Sequence, residues 1–184
     1  QEGDIVTIDI GMRYPANGGL YTDHAKTFAV GKIEPETEEL LRVTEEALRK
    51  GIAAVKPGNF IHDISKAIEA HALAHGYSIV REYVGHGVGH AVHEDPRIPN
   101  YYDAREPKVV LKEGMVLAIE PMVNMGSPEV EVAEDGVQRR LIEALDLSSP
   151  FRVAGRTVDQ RDLELGADLQ DIESDEARSA VDEE

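Results

Sequence analysis

Three groups of residues combine types and spacings that can do chemistry. The first is Asp9, set between Ile8 and Ile10, with Asp23 on the following extended segment. A carboxylate on an apolar strand is costly unless it is paired or bound to a cation. The plain alternative is an exposed strand position and a loop carboxylate. The second group is Gly85-His86-Gly87-Val88-Gly89-His90-Ala91-Val92-His93-Glu94, three histidines in eight residues spaced by glycines. Glycine lets the backbone bend and approach a ligand, so this string suits a site built on irregular backbone. His90 is the most readily incidental of the three. Its spacing from His86 would suit a helical zinc pair, but the glycines argue against a helix. The third is Glu120-Pro121-Met122, directly after the apolar run Met115–Ile119. A Glu buried there needs a divalent cation or an ion pair with Lys or Arg.

Together these groups offer three carboxylates and one to three imidazoles from separated segments, and no Ser or Cys sits in a nucleophile motif. That donor set suits Mn, Fe or Co, and carboxylates that bridge two such ions are how a two-metal hydrolase is assembled. Residue chemistry alone stops at a generic metallohydrolase.

The elements that must position these residues can be read from periodicity. Ile5 to Ile10 alternates as a β-branched strand, and a second strand runs from about Leu20 to Val30 after a loop holding Pro15, Asn17, Gly18 and Gly19. The two predict an antiparallel hairpin. From Pro35 the period becomes helical, with Leu41, Thr44, Leu48, Ile52 and Val55 on one stripe until Pro57-Gly58. A second helix is expected from Ile61 to His75, closed by Gly76, then a strand over Tyr77–Tyr83. Residues 94–110 read as mostly loop, punctuated by Pro96, Pro99 and Pro107. Met115–Ile119 reads as a buried strand, and Val123 begins another extended stretch. After Gly136 the pattern loses coherence apart from a short helix expected over Arg139–Leu147.

Composition bounds the class. With 184 residues, 41% of them hydrophobic, the chain can build one core of ordinary size. No apolar run reaches the roughly 18 residues of a membrane span, and no secretory leader is evident, so a cytoplasmic protein that does not engage a membrane is the expectation. Cysteine is absent, which leaves Asp, Glu and His as metal ligands. A formal net charge of −17 disfavours direct nucleic-acid binding. From Asp159 to Glu184 eleven acidic residues face only Arg161 and Arg178, so the end reads as a solvated acidic tail, largely disordered towards its terminus.

The Gly-His-Gly-x-Gly-x-x-x-His-Glu string at 85–94, together with Glu120-Pro121-Met122, resembles the type I methionine aminopeptidases. The likeness covers residues 3 to about 136 and corresponds to the metal-bearing C-terminal half of the pita-bread (creatinase/aminopeptidase) fold. Glu-Pro-Met followed by Val123-Asn124, instead of the Glu-Pro-Gly usual in X-Pro peptidases, places the likeness on the methionine branch. The resemblance implies an α+β fold whose curved antiparallel sheet packs on two helices. It divides the chain into a partial metallopeptidase domain (1–136) and a divergent acidic segment (137–184).

It further implies that Asp9, Asp23, His86 and Glu120 ligate two divalent ions (Co, Mn, Fe or Zn), and that His93 contacts the substrate without being a ligand. A metal-activated water then attacks the first peptide carbonyl, Glu120 assists with the proton, and the substrate's free amine docks on one metal. The implied substrates are N-terminal Met peptides of nascent proteins, met near the ribosome by a monomer. The rival readings are an X-Pro aminopeptidase-like hydrolase and a non-catalytic pita-bread protein that binds a peptide or partner.

Three departures from the family pattern stand out. Asp9 and Asp23 are spaced more widely than usual, the extra residues falling in the Pro15–Gly19 loop, where insertion is cheap. The chain begins midway through the fold, before which another catalytic His and much of the methionine pocket would lie. The last ligand, a Glu in a Ser-Ala-His-Phe-Glu-like strand, is expected where the sequence reads Ser148-Ser149-Pro150-Phe151-Arg152-Val153. A reading frame shifted by one nucleotide there can spell Ala-His-Phe-Glu, so a frameshifted C-terminus is one expectation, beside natural divergence or a chimera. Impaired activity of the chain as written follows from these losses.

Overall fold

The computed structural model describes residues 1–132 and 138–140. Alternating β-branched residues make Ile5–Tyr14 (β1) and Leu20–Ala29 (β2) a long antiparallel hairpin, with Ile5 opposite Ala29 and Tyr14 opposite Leu20. The first strand runs four residues past the expected Ile10. Its period of two sends Val6, Ile8, Ile10, Met12 and Tyr14 to one face and Thr7, Asp9, Gly11 and Arg13 to the other. On the second face the Thr7 and Thr27 hydroxyls meet at 2.9 Å.

Pro35 opens helix α1 (Pro35–Ala53), with Glu36 and Glu38 in the first turn where the helix dipole favours negative charge. The stripe that it buries is not the expected one. Thr37, Leu40, Val43, Ala47 and Gly51 face inward, whereas Leu41, Thr44 and Leu48 are half-buried and Ile52 and Val55 are exposed. The reason lies in helix α2 (Ile61–Ala74), which packs against the small residues of α1. A Cβ on Gly51 would come within 2.8 Å of the Ile68 side chain.

Helix α2 begins where the Phe60 amide donates to the Asp63 carboxylate at 2.8 Å, and it ends at His75 before Gly76 in the left-handed region (φ 79°). Ile64 and Ile68 are fully buried and form the centre of the core with Ile61, Ala47, Ala72, Ile79, Ile98 and Leu111. Each buried Ile contributes roughly 1.5–3 kcal/mol by leaving water.

The remaining strands are short: Tyr77–Ile79 (β3), Gly85–Gly87 (β4), Glu94–Ile98 (β5), Leu117–Ala118 (β6), Val123–Met125 (β7), Val130–Val132 (β8) and Gln138–Arg140 (β9). Among the described residues they form antiparallel groups β3-β7, β5-β4-β6 and β8-β9 beside the hairpin. The fold is thus α+β, with the helices packed on β3, β5 and β7.

Several expectations need correction. The strand expected over Tyr77–Tyr83 stops at Ile79. The stretch expected to be loop contains β5, which accommodates Pro96 because it is an edge strand with no ladder partner on one side. Of Met115–Ile119 only Leu117–Ala118 is strand, and Met115 and Val116 are exposed, not buried. Arg139 and Arg140 lie in β9 where a helix was expected to begin; the remainder of that helix and the acidic tail lie outside the described residues.

Candidate metal centre

The hairpin register brings the two aspartates together. Asp9 lies opposite Ala25, and Asp23, two residues before Ala25, projects from the same face as Asp9's diagonal neighbour. Asp9 itself sits on an open strand, while Asp23 is half-buried.

His86 is delivered from the other side by β4, where it faces Ala118 of β6. Its flanking glycines allow three backbones to crowd together. A Cβ on Gly85 would lie 2.3 Å from the Ala118 carbonyl oxygen, and one on Gly87 would lie 2.4 Å from that of Asp95. The buried His86 ring places Nδ1 2.8 Å from the Gly87 carbonyl oxygen. A carbonyl only accepts, so Nδ1 carries a hydrogen, and Nε2 is the ring atom turned to the carboxylates. That Nε2 lies 3.5 Å from Asp23 Oδ2 and 3.2 Å from Glu120 Oε1.

The Glu120 backbone is held by Asn100, fully buried, whose Nδ2 donates to the Glu120 carbonyl at 2.9 Å. The Val88 amide bonds the Val116 carbonyl at 3.2 Å, tying the glycine-rich string to the segment that leads into Glu120. The hairpin is joined to the same string by the Tyr21 amide, which donates to the Gly89 carbonyl at 2.6 Å, and Val92 covers Gly11. The exposed His93 ring packs edge-on to His86, with ring centroids 4.3 Å apart. His90 is exposed.

The electrostatics of this group are unbalanced in one direction. Burial, reinforced by Asp23 and Asp9 and opposed by His86, pushes the Glu120 carboxyl up to about 7. Burial and then the Asp23 charge raise the Asp9 carboxyl as well, against the lowering influence of His86 and His93. Among the described residues no Lys or Arg pairs with Glu120, Asp23 or Asp9, so the bland reading of Glu120 as half of a buried ion pair lacks its partner. Carboxylates gathered around one imidazole call for a shared cation or a shared proton. The residues present therefore fit a hard-to-borderline divalent ion, which oxygen donors with one imidazole suit. The segment Ser148–Val153, where a further ligand was sought, lies outside the described residues.

Sequence reasoning missed Asn100. It anchors Glu120 from twenty residues away, and an isolated Asn between Pro99 and Tyr101 gives no signal of that partnership.

Comparison with known proteins identifies the family. A family model described as metallopeptidase family M24 matches residues 1–143. The methionine aminopeptidase of Borreliella burgdorferi is 50% identical over 135 residues, which cover 73% of this chain and 53% of that protein. The crystal structure of methionine aminopeptidase from Thermotoga maritima superposes with a TM-score of 0.69 at 47% identity, covering 75% of this chain and 54% of that one. The prolidase from Pyrococcus furiosus is more distant, with a TM-score of 0.56 and 34% identity over 66% of this chain and 34% of its own. The chain spans about half the length of the methionine aminopeptidases that it matches.

Proposed function

Because the chain belongs to metallopeptidase family M24, we propose that it carries the metal-binding part of an aminopeptidase that removes N-terminal methionine by hydrolysing the first peptide bond. The observation that carries this reading is the convergence of Asp23, His86 and Glu120, with Asp9 beside them and no Lys or Arg paired with them among the described residues. Asp9, Asp23, His86 and Glu120 would hold two divalent ions, which when bound would polarise the scissile carbonyl and activate a water. Asp9 and Asp23, diagonal neighbours across the hairpin, would supply two of the carboxylates that hold the ions. His86, its Nδ1 fixed on the Gly87 carbonyl, offers Nε2 in one orientation.

In this reading Glu120 would also take a proton from the attacking water and return it to the leaving amine. In this reading His93, exposed beside His86, would contact the substrate and not be a ligand. The substrates in this reading are the Met-initiated ends of nascent chains, met by a monomer in the cytoplasm close to the ribosome. No helix among the described residues is long and apolar enough to cross a membrane.

The test is release of free methionine from a Met-Ala-Ser peptide in the presence of Mn(II) or Co(II). It uses this chain joined to the half of the fold that its relatives carry in addition. The proposal expects release that Glu120→Gln abolishes, and that His93→Ala reduces with metal content unchanged. Cleavage of an X-Pro dipeptide in place of the methionyl peptide would move the assignment to the prolidase branch. Loss of metal in His93→Ala would make His93 a ligand.

A further inference from the structure

Away from the hairpin cluster, the packed helices bring together a second set of metal-ligating side chains. His71 stands in the last turn of α2 and His75 caps that helix one turn on, with ring centroids 4.5 Å apart, and Glu46 reaches them from α1. His71 Nε2 is 3.0 Å from Glu46 Oε2. His75 Nδ1 donates to the His71 carbonyl at 2.9 Å, which fixes its tautomer and leaves Nε2 as a lone-pair donor. One ligand atom from each of the three residues lies within 4.8 Å of the other two.

We propose that Glu46, His71 and His75 form a second divalent-cation site, independent of the hairpin cluster, that clips α1 to α2. Zinc draws imidazole nitrogens and carboxylate oxygens to about 2.0–2.2 Å, so small side-chain rotations close this triangle around one ion. Two imidazoles with one carboxylate favour zinc, nickel, copper or cobalt over magnesium or calcium. Glu46 is prepared for the role. Its Oε1 is bonded by the Arg42 guanidinium, which orients the carboxylate, and Oε2 is the atom turned to the histidines. Arg42 also places a positive charge nearby, which opposes the incoming ion and keeps the affinity below that of a closed structural site. His71 is nearly enclosed between the helices and His75 is exposed, so the ion sits at the surface with water completing its shell.

Zinc(II) titration of the 184-residue chain, read by calorimetry and by the melting temperature, tests the proposal. His86→Ala silences the hairpin cluster; this variant is expected to take up one zinc and melt higher with it. Adding His75→Ala, at an exposed position where the fold tolerates change, should weaken that uptake at least about tenfold, since even outer-shell changes cost about 10- to 100-fold. The melting shift should vanish with it. If His86→Ala proves poorly folded, the parent and His75→Ala alone are compared, and His75→Ala should bind one equivalent fewer. Zinc uptake and melting shift unaltered by His75→Ala would overturn the proposal and leave the Glu46–His71 contact as a metal-free helix–helix hydrogen bond.

Discussion

Helices α1 and α2 and the hairpin β1–β2 put similar apolar content to opposite uses. In the helices Val43, Ala47, Ile64, Ile68 and Ala72 are completely buried, whereas on the hairpin Val6, Ile8, Ile10, Met12 and Tyr14 remain between 38% and 77% exposed. Among the described residues the buried apolar core lies on the helical side, and the loops and strands packed near it carry His86 and Glu120. The hairpin supplies Asp9 and Asp23 from an element whose apolar face has no cover among the described residues. Its links to the rest include the Tyr21–Gly89 backbone bond and the Val92 side chain over Gly11. The cluster is therefore assembled between a firmly packed region and a lightly docked one, and its geometry is a matter of docking.

The contrast is sharpest for core truncation. Ile68→Ala removes a fully buried side chain wedged against Gly51 and should cost about 3–4 kcal/mol in urea melts. A loss under about 1 kcal/mol would break the assignment of stability to the helices. Gly87→Ala comes next. Its Cβ would collide with the Asp95 carbonyl, so a cost of about 1–3 kcal/mol is expected, together with displacement of His86, visible in its imidazole NMR signals.

The metal-free protein should also show a pH dependence that originates in the cluster. The Glu120 carboxyl titrates near 7 in the folded chain and at its ordinary acidic value when unfolded, so the folded state binds the extra proton between those values. Stability from this group is complete below the unfolded value and is lost as pH rises through about 7. The loss is on the order of 2 kcal/mol after allowing for partial solvent screening. Melting in EDTA should therefore fall between pH 5 and pH 7.5, and Glu120→Gln should flatten that slope. An unchanged slope in the variant would place the proton elsewhere. Smallest of all, Ile10→Thr on the open hairpin face should change stability by no more than about 0.5 kcal/mol. A core-like penalty would mean that this face is covered.

How far the sequence revealed these regions follows from the same contrast. The hairpin that carries Asp9 and Asp23 was legible because strand alternation and a Pro/Gly loop are local signals. So was the glycine-spaced histidine string, since only glycine admits the approach of the Ala118 and Asp95 carbonyls. The buried face of α1 was misread because hydropathy ranks Leu48 and Ile52 above Ala47 and Gly51. Close helix packing selects the small residues instead. Strand β5 was hidden by Pro96, which signals a loop unless the strand is known to lie at an edge. Asn100 and the Glu46–His71 contact join residues far apart in sequence, and nothing local announces either.

The central claim is that Asp9, Asp23, His86 and Glu120 share divalent ions across the junction of the two regions. The most direct test counts Co(II) bound, by equilibrium dialysis and by visible absorption, in a chain carrying His75→Ala so that the helix-pair histidines do not contribute. Bound cobalt should fall sharply in Asp23→Asn and in His86→Ala, while His93→Ala leaves it unchanged. Cobalt uptake equal to the parent's in both Asp23→Asn and His86→Ala would contradict the account.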